Sequence, residues 1–183
     1  MSEAKFDPKY LTEPFEMTAE SYLEYMQLKW LSTPSPGVKL KRKIEITKVN
    51  ENAVVPSYQT ISAAGFDFHS VVSELIMPGE TKLIGTGLAF AVPEGLELQV
   101  RPRSGISAKT GIRVANAPGT VDADFRGEVK IILTNTGNLP YTVNVGDRVA
   151  QGVICPVYQA EFCIVDSLES TERGDKGFGS TGV

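Results

Sequence analysis

The chain has 183 residues, a formal charge of −4 at neutral pH and a pI near 5.1. That balance argues against a general nucleic-acid binder, which would present a basic face, but leaves room for a small anionic ligand held by local arginines. The length suits one domain with an appendage and a single core.

Two cysteines, Cys155 and Cys163, and one histidine, His69, offer no zinc-ligand spacing. The cysteines read as core thiols of a reducing compartment. A polar, acidic N-terminus and no apolar run approaching about 18 residues predict a soluble, intracellular protein of the cytoplasm without membrane contact.

Residues 1 to 37 read as an N-terminal extension. Pro8 and Pro14 favour an extended arm. Thr18 and Ser21 then offer N-caps, and Glu24 completes a capping-box pattern with Ser21. Tyr22, Leu23, Met26, Trp30 and Leu31 recur at spacings of three and four, which predicts an amphipathic helix of roughly 12 to 14 residues. The run Ser32-Thr-Pro-Ser-Pro-Gly37 ends it. Such a helix serves either as a packing brace or as a docking element for a protein partner.

From Val38 to Glu172 short strand-like runs alternate with glycine and proline. Lys41–Thr47 and Leu96–Arg101 alternate with period two, and Leu83–Val92 reads as an apolar strand pair with small residues between. Gly111–Ala115, Glu128–Asn135, Tyr141–Val145, Arg148–Val157 and Glu161–Val165 continue the pattern. Turn signals fall at Pro78-Gly79-Glu80, Pro93-Glu94-Gly95, Gly137-Asn138 and Gly146-Asp147. Strands at a spacing of about 8 to 12 residues predict an all-β domain, a distorted jelly-roll β-barrel.

Five stretches are too specialised to be connectors. Ala63-Ala-Gly-Phe-Asp-Phe-His69 sets Asp67 in a strand just after a glycine. Arg101-Pro-Arg-Ser-Gly-Ile-Ser107 combines arginines with a Ser-Gly step that can begin a helix, whose amides and hydroxyl would donate to phosphate. Asn116-Ala-Pro-Gly-Thr-Val-Asp-Ala-Asp-Phe-Arg-Gly-Glu128 joins turn vocabulary to the carboxylates of Asp122 and Asp124, a ring and a guanidinium. It predicts a β-hairpin whose tip could read the polar edge of a flat ring. Gly146-Asp-Arg-Val-Ala-Gln151 places an amide in an apolar strand. The tail 173–183 is glycine-rich and holds Arg173, Phe178, Ser180 and Thr181, the composition of a mobile lid able to wrap phosphate and stack on a base. Taken singly each has an ordinary explanation, such as a solvated acidic hairpin, a turn-forming aspartate or a satisfied core amide.

In order, AAGFDF, RPRSGIS, GTVDADFRGE, GDRVAQ and RGDKGFGSTG resemble the five motifs of the homotrimeric deoxyuridine triphosphate nucleotidohydrolase (dUTPase) family over about residues 40 to 183. The resemblance implies a jelly-roll fold, a homotrimer whose sites are shared between subunits, and magnesium-dependent hydrolysis of dUTP to dUMP and pyrophosphate. It implies that Asp122 activates the attacking water, and that Asn116 with the hairpin backbone at Gly119 pairs with uracil. Arg103, Ser104, Gly105 and Gln151 would contact the phosphates. Arg173 would reach the γ-phosphate, Phe178 would stack on uracil, and Gly179, Ser180 and Thr181 would close the phosphate end. Asp67 would hold Mg2+ through its water shell.

Phe125 stands where the family usually has a tyrosine against deoxyribose; ring packing alone should still exclude a 2′-hydroxyl. Two rivals are weighed. Deamination of dCTP on the same fold needs a glutamate that the arginine-serine stretch lacks. A regulatory nucleotide sensor acting through the N-terminal helix stays open beside catalysis.

Overall fold

The computed structural model describes residues 42–177, of which 44–177 belong to the compact unit Ile44–Val183. The predicted N-terminal helix and the lid residues Phe178, Gly179, Ser180 and Thr181 lie outside the described residues.

Among the described residues ten strands are present in chain order: β1 (Glu45–Lys48), β2 (Phe66–His69), β3 (Glu74–Ile76), β4 (Thr81–Ala91), β5 (Leu96–Arg101), β6 (Ile112–Val114), β7 (Gly119–Val121), β8 (Glu128–Asn135), β9 (Tyr141–Val143) and β10 (Arg148–Pro156). One short helix, Ser104–Lys109, follows β5. All pairings are antiparallel, giving sheets ordered β1-β4-β8-β6 and β2-β10-β5-β7 and a small β3-β9 ribbon. The all-β expectation holds. The sheets do not close into a barrel among the described residues, because β1, β6, β2 and β7 each keep an open edge.

Alternation explains the burial. In β8, Val129, Ile131, Leu133 and Asn135 point inward and Lys130 outward, the period of a half-buried strand. Leu98 and Val100 of β5, Phe66 and Phe68 of β2, and Ile84, Leu88 and Phe90 of β4 meet them in one apolar cluster that spans both large sheets. Phe66, Phe68 and Phe90 pack ring against ring at centroid distances of 5.5–6.3 Å, which fixes the inner face of β2. Buried Asn135 spends its amide on the carbonyls of Ile76 and Leu139 and accepts from Gly137 N–H, tying the ribbon to the larger sheet. With every polar atom partnered, that burial carries little cost.

Three expectations change. Leu83–Val92 is one long strand: Gly85-Thr86-Gly87 is a bulge inside β4, where the register to β8 jumps from Gly85↔Lys130 to Ala89↔Glu128. Gly87 has φ 68, and a Cβ there would lie 2.8 Å from that of Asn50 and 2.9 Å from that of Ala53, so only glycine fits. Glu161–Val165 forms no strand; Phe162 and Ile164 are 93% and 100% exposed. Cys163 is exposed and Cys155 half-buried, so neither is a core thiol.

Candidate functional site

Because Phe66 and Phe68 face the core, Asp67 between them faces the other side of the sheet, and its side chain is 12% exposed. Across β2, β10 and β5 it stands in one row with Gln151 and Arg101. Asp67 Oδ1 accepts from Arg103 Nε at 2.7 Å, and Oδ2 accepts from Arg148 Nη1 at 3.2 Å. Arg103 also donates through Nη1 to the carbonyl of Arg148 at 3.2 Å. Gln151 Nε2 donates to the carbonyl of Pro102 at 2.8 Å. A Cβ on Gly65 would come within 2.7 Å of Gln151 Oε1, so the glycine before Asp67 leaves room for that amide. Three of the five specialised stretches therefore meet in one chain. Arg148 lies inside the GDRVAQ stretch but has no role in the sequence reading; its place just after the Gly146-Asp147 turn is the available signal, and the structure sets it opposite His69.

His69 lies beside this cluster. Burial lowers its pKa, Asp67 opposes that, and Arg148 and Arg103 add to the lowering. Its Nδ1 is buried with no hydrogen-bond partner among the described residues.

The helix starts as expected at Ser104. Arg103 is its N-cap in extended backbone without a side-chain cap bond, and Ser104 and Gly105 are exposed. Ser104 and the start of the helix are thus open to solvent, one residue after Arg103.

The Asn116–Gly127 stretch departs from the hairpin expectation. The predicted arms do pair, β6 with β8, but the tight-turn residues between them do not close that pair. The chain instead crosses to the other sheet, where β7 adds to the edge of β5, before returning to β8. Buried Gly119 lets the Asn116 side chain fold against it, since a Cβ there would be 2.9 Å from Asn116 Nδ2. Beyond β7, Phe125 N–H donates to the Asp122 carbonyl at 3.2 Å, and Arg126 Nη1 donates to the carbonyls of Ala123 and Phe125. Asp122 is exposed, and the 44% exposed Phe125 ring lies along Gly127.

Register separates this excursion from the Asp67 cluster. Val121 pairs with Leu98, so Asp122 stands level with Glu97, four residues before Arg101. At ~3.4 Å per residue that is about 14 Å along the strand, and Arg103 and Ser104 lie further on. The fifth stretch begins in exposed chain without regular structure, where Arg173 Nε donates to the Lys176 carbonyl at 2.9 Å around Gly174 at φ 55.

No group of three or more His, Cys, Asp or Glu side chains gathers among the described residues. The donor chemistry at Asp67, one carboxylate already shared by two guanidiniums, does not suit a resident ion. It fits a magnesium ion that arrives on phosphate oxygens and touches the protein through water.

Comparison with known proteins gives one consistent result. The dUTPase family model matches residues 51–182. A deoxyuridine 5'-triphosphate nucleotidohydrolase of Nautilia profundicola is 54% identical over 140 residues, spanning 76% of this chain and 99% of that protein. One of Helicobacter pylori (strain 26695) is 48% identical over 141 residues, covering 77% of this chain and 97% of its own. Among solved structures, Staphylococcus bacteriophage 80alpha dUTPase with dUPNHPP superposes with TM-score 0.73 at 29% identity, over 78% of this chain and all of that one. A dUTPase of phage phi11 of S. aureus, a variant in which coordination of a structural Mg(II) ion was described, gives TM-score 0.66 at 27% identity, over 70% of this chain and all of its own.

Proposed function

This chain belongs to the dUTPase family and is a dUTP diphosphatase, and from that premise we propose how it works: Asp122 activates a water that attacks the α-phosphorus of dUTP in a site shared between copies of the chain. The water oxygen forms a bond to the α-phosphorus while the bond from that phosphorus to the α–β bridging oxygen breaks. The products are dUMP and pyrophosphate, and the water's proton passes to the Asp122 carboxylate.

Arg103, Ser104, Gly105 and Gln151 hold the phosphate chain, with Ser104 at the leaving bridging oxygen. An arginine already oriented by Asp67 loses little freedom when it meets a phosphate, and fixed donors at the developing charge are where catalytic electrostatics act best. Asn116 and the backbone at Gly119 receive uracil, and the Phe125 ring packs on deoxyribose. Arg173, Phe178, Gly179, Ser180 and Thr181 close over the nucleotide from the C-terminal segment. Magnesium bound to the triphosphate would neutralise charge and be held by Asp67 through water.

The observation that carries the shared site is the separation along β5. Aspartate and serine are short side chains, and a single phosphorus cannot lie within reach of both Asp122 and Ser104 of one chain. A second copy, in a homotrimer, supplies the missing half.

Complementation tests this directly. Asp122→Asn and Arg103→Ala chains, each inactive alone, are co-refolded into mixed trimers and assayed for pyrophosphate release with dUTP and magnesium. Shared sites predict partial recovery, because some sites draw one intact half from each chain. Verified mixed trimers with no recovered activity would place both halves of each site in one chain and overturn the proposal.

A further inference from the structure

The excursion that carries Asp122 and Phe125 is held at its far end by β7 on β5. At its near end the chain re-enters the core at Glu128, and there the ladder is broken. Between the pairs Gly85↔Lys130 and Ala89↔Glu128, β4 spends two more residues than β8. Such a bulge would leave amides unpaired in a buried strand.

Glu128 fills that gap. Its Oε1 accepts from the Gly87 N–H at 2.8 Å, and its side chain is 24% exposed. The bulge is shaped for it: a Cβ on Gly85 would lie 2.8 Å from Glu128 Oε1, and Gly87 sits at φ 68, where its N–H turns toward the carboxylate. Between the two glycines, buried Thr86 donates from Oγ1 to the carbonyl of Val129 at 2.6 Å. The Gly-Thr-Gly bulge thus grips two consecutive residues at the root of the excursion. The rest is continuous with that grip. Gly127 underlies the Phe125 ring, Arg126 ties back to Ala123, and Phe125 N–H reaches the Asp122 carbonyl.

We propose that Glu128 is a positioning residue for dUTP hydrolysis: through Gly87 N–H it fixes the root of the 116–127 excursion and so the aim of Asp122 and the seat of Phe125. It touches neither nucleotide nor water. The inference rests on the role given to Asp122 above. What matters is reach, an acceptor oxygen at Gly87, and the negative charge is incidental.

Two conservative variants separate reach from charge. Glu128→Gln retains Oε1 and loses the charge; Glu128→Asp retains the charge and is one methylene too short. The expected result is that Glu128→Gln keeps kcat within about threefold. Glu128→Asp is expected to lose about 10- to 100-fold in kcat, the scale for a reacting group displaced by roughly 1 Å, with KM changed far less. Hydrogen exchange at residues 119–127 should quicken in Glu128→Asp and stay as in the parent protein in Glu128→Gln, while β5 and β8 remain protected in both.

Equal loss in both variants, or loss in Glu128→Gln alone, would make the charge the working part and overturn the proposal. So would unchanged exchange at 119–127 in Glu128→Asp. Asp122→Asn assayed in parallel keeps the premises apart. Full activity in that variant would remove Asp122 from its role, while the exchange data still report whether Glu128 fixes the excursion.

Discussion

The Asp67 cluster and the Asn116–Gly127 excursion hold different halves of the proposed chemistry and are built by opposite means. At Asp67 the polar groups are satisfied within the chain: two guanidiniums share one carboxylate, and Gln151 is bonded to the Pro102 carbonyl. In the excursion the backbone is stitched locally but the Asp122 carboxylate and the Phe125 ring face solvent. The first region therefore carries fold and function together, and the second carries function almost alone.

Asp122→Asn tests the second half of that contrast and has the largest expected effect. Turnover should fall by about 10²- to 10⁴-fold, the range for loss of a general base, with dUTP binding retained. The melting temperature should move little, since exposed substitutions usually change stability by less than ~0.5 kcal/mol. Calorimetric binding, turnover and melting on one preparation decide it, and a large loss of stability would merge the two regions.

Asp67→Asn tests the first half, with a smaller effect on rate and a larger one on stability. Two partly exposed guanidiniums lose their shared anion. Discounted for solvent, that costs about 1–3 kcal/mol, or about 5 °C in Tm for a chain of this size. Activity should fall in the same variant, and an unchanged Tm with lost activity would show that Asp67 is no part of the fold.

How much of each region the sequence discloses follows from the same contrast. Alternation reports which face is buried, so β5, β8 and β10 were legible. So was the Ser104 helix start, and the five motifs contain every residue of the cluster, although the sequence reading gives Arg148 no role of its own. Alternation does not report which strand a segment pairs with. Asn116–Gly119 has the vocabulary of a tight turn, yet the chain spends it crossing to β5. Gly85-Thr86-Gly87 looked like a break between two strands because a positive-φ glycine in a bulge and one in a turn leave the same mark. Glu161–Val165 has strand composition, yet it pairs with none of the open edges and stays exposed, because composition does not report whether a partner strand is taken up.

The smallest expected effect concerns the margin of the cluster. Burial holds the His69 pKa below its ordinary 6.5. The unfolded chain therefore binds more protons than the folded one as pH falls below about 6.5, and stability declines from there toward the folded-state pKa. His69→Gln should flatten that decline below about pH 6.5, a small effect because the imidazole is only partly buried. Melting curves across that range check it, and an unaltered slope would assign the pH dependence to other groups.

Sharing one carboxylate between Arg103 and Arg148 also has an arithmetic that reaches beyond packing. The pair of cations is already half neutralised, so between them these two guanidiniums leave one surplus positive charge for the triphosphate of the proposed site. Electroneutrality on binding must then be imported, by counter-ions travelling with the nucleotide and by the basic residues of the C-terminal segment. The shared carboxylate spares the chain the energy of holding two like charges together, and in the proposed site binding would depend on the ionic company the nucleotide keeps.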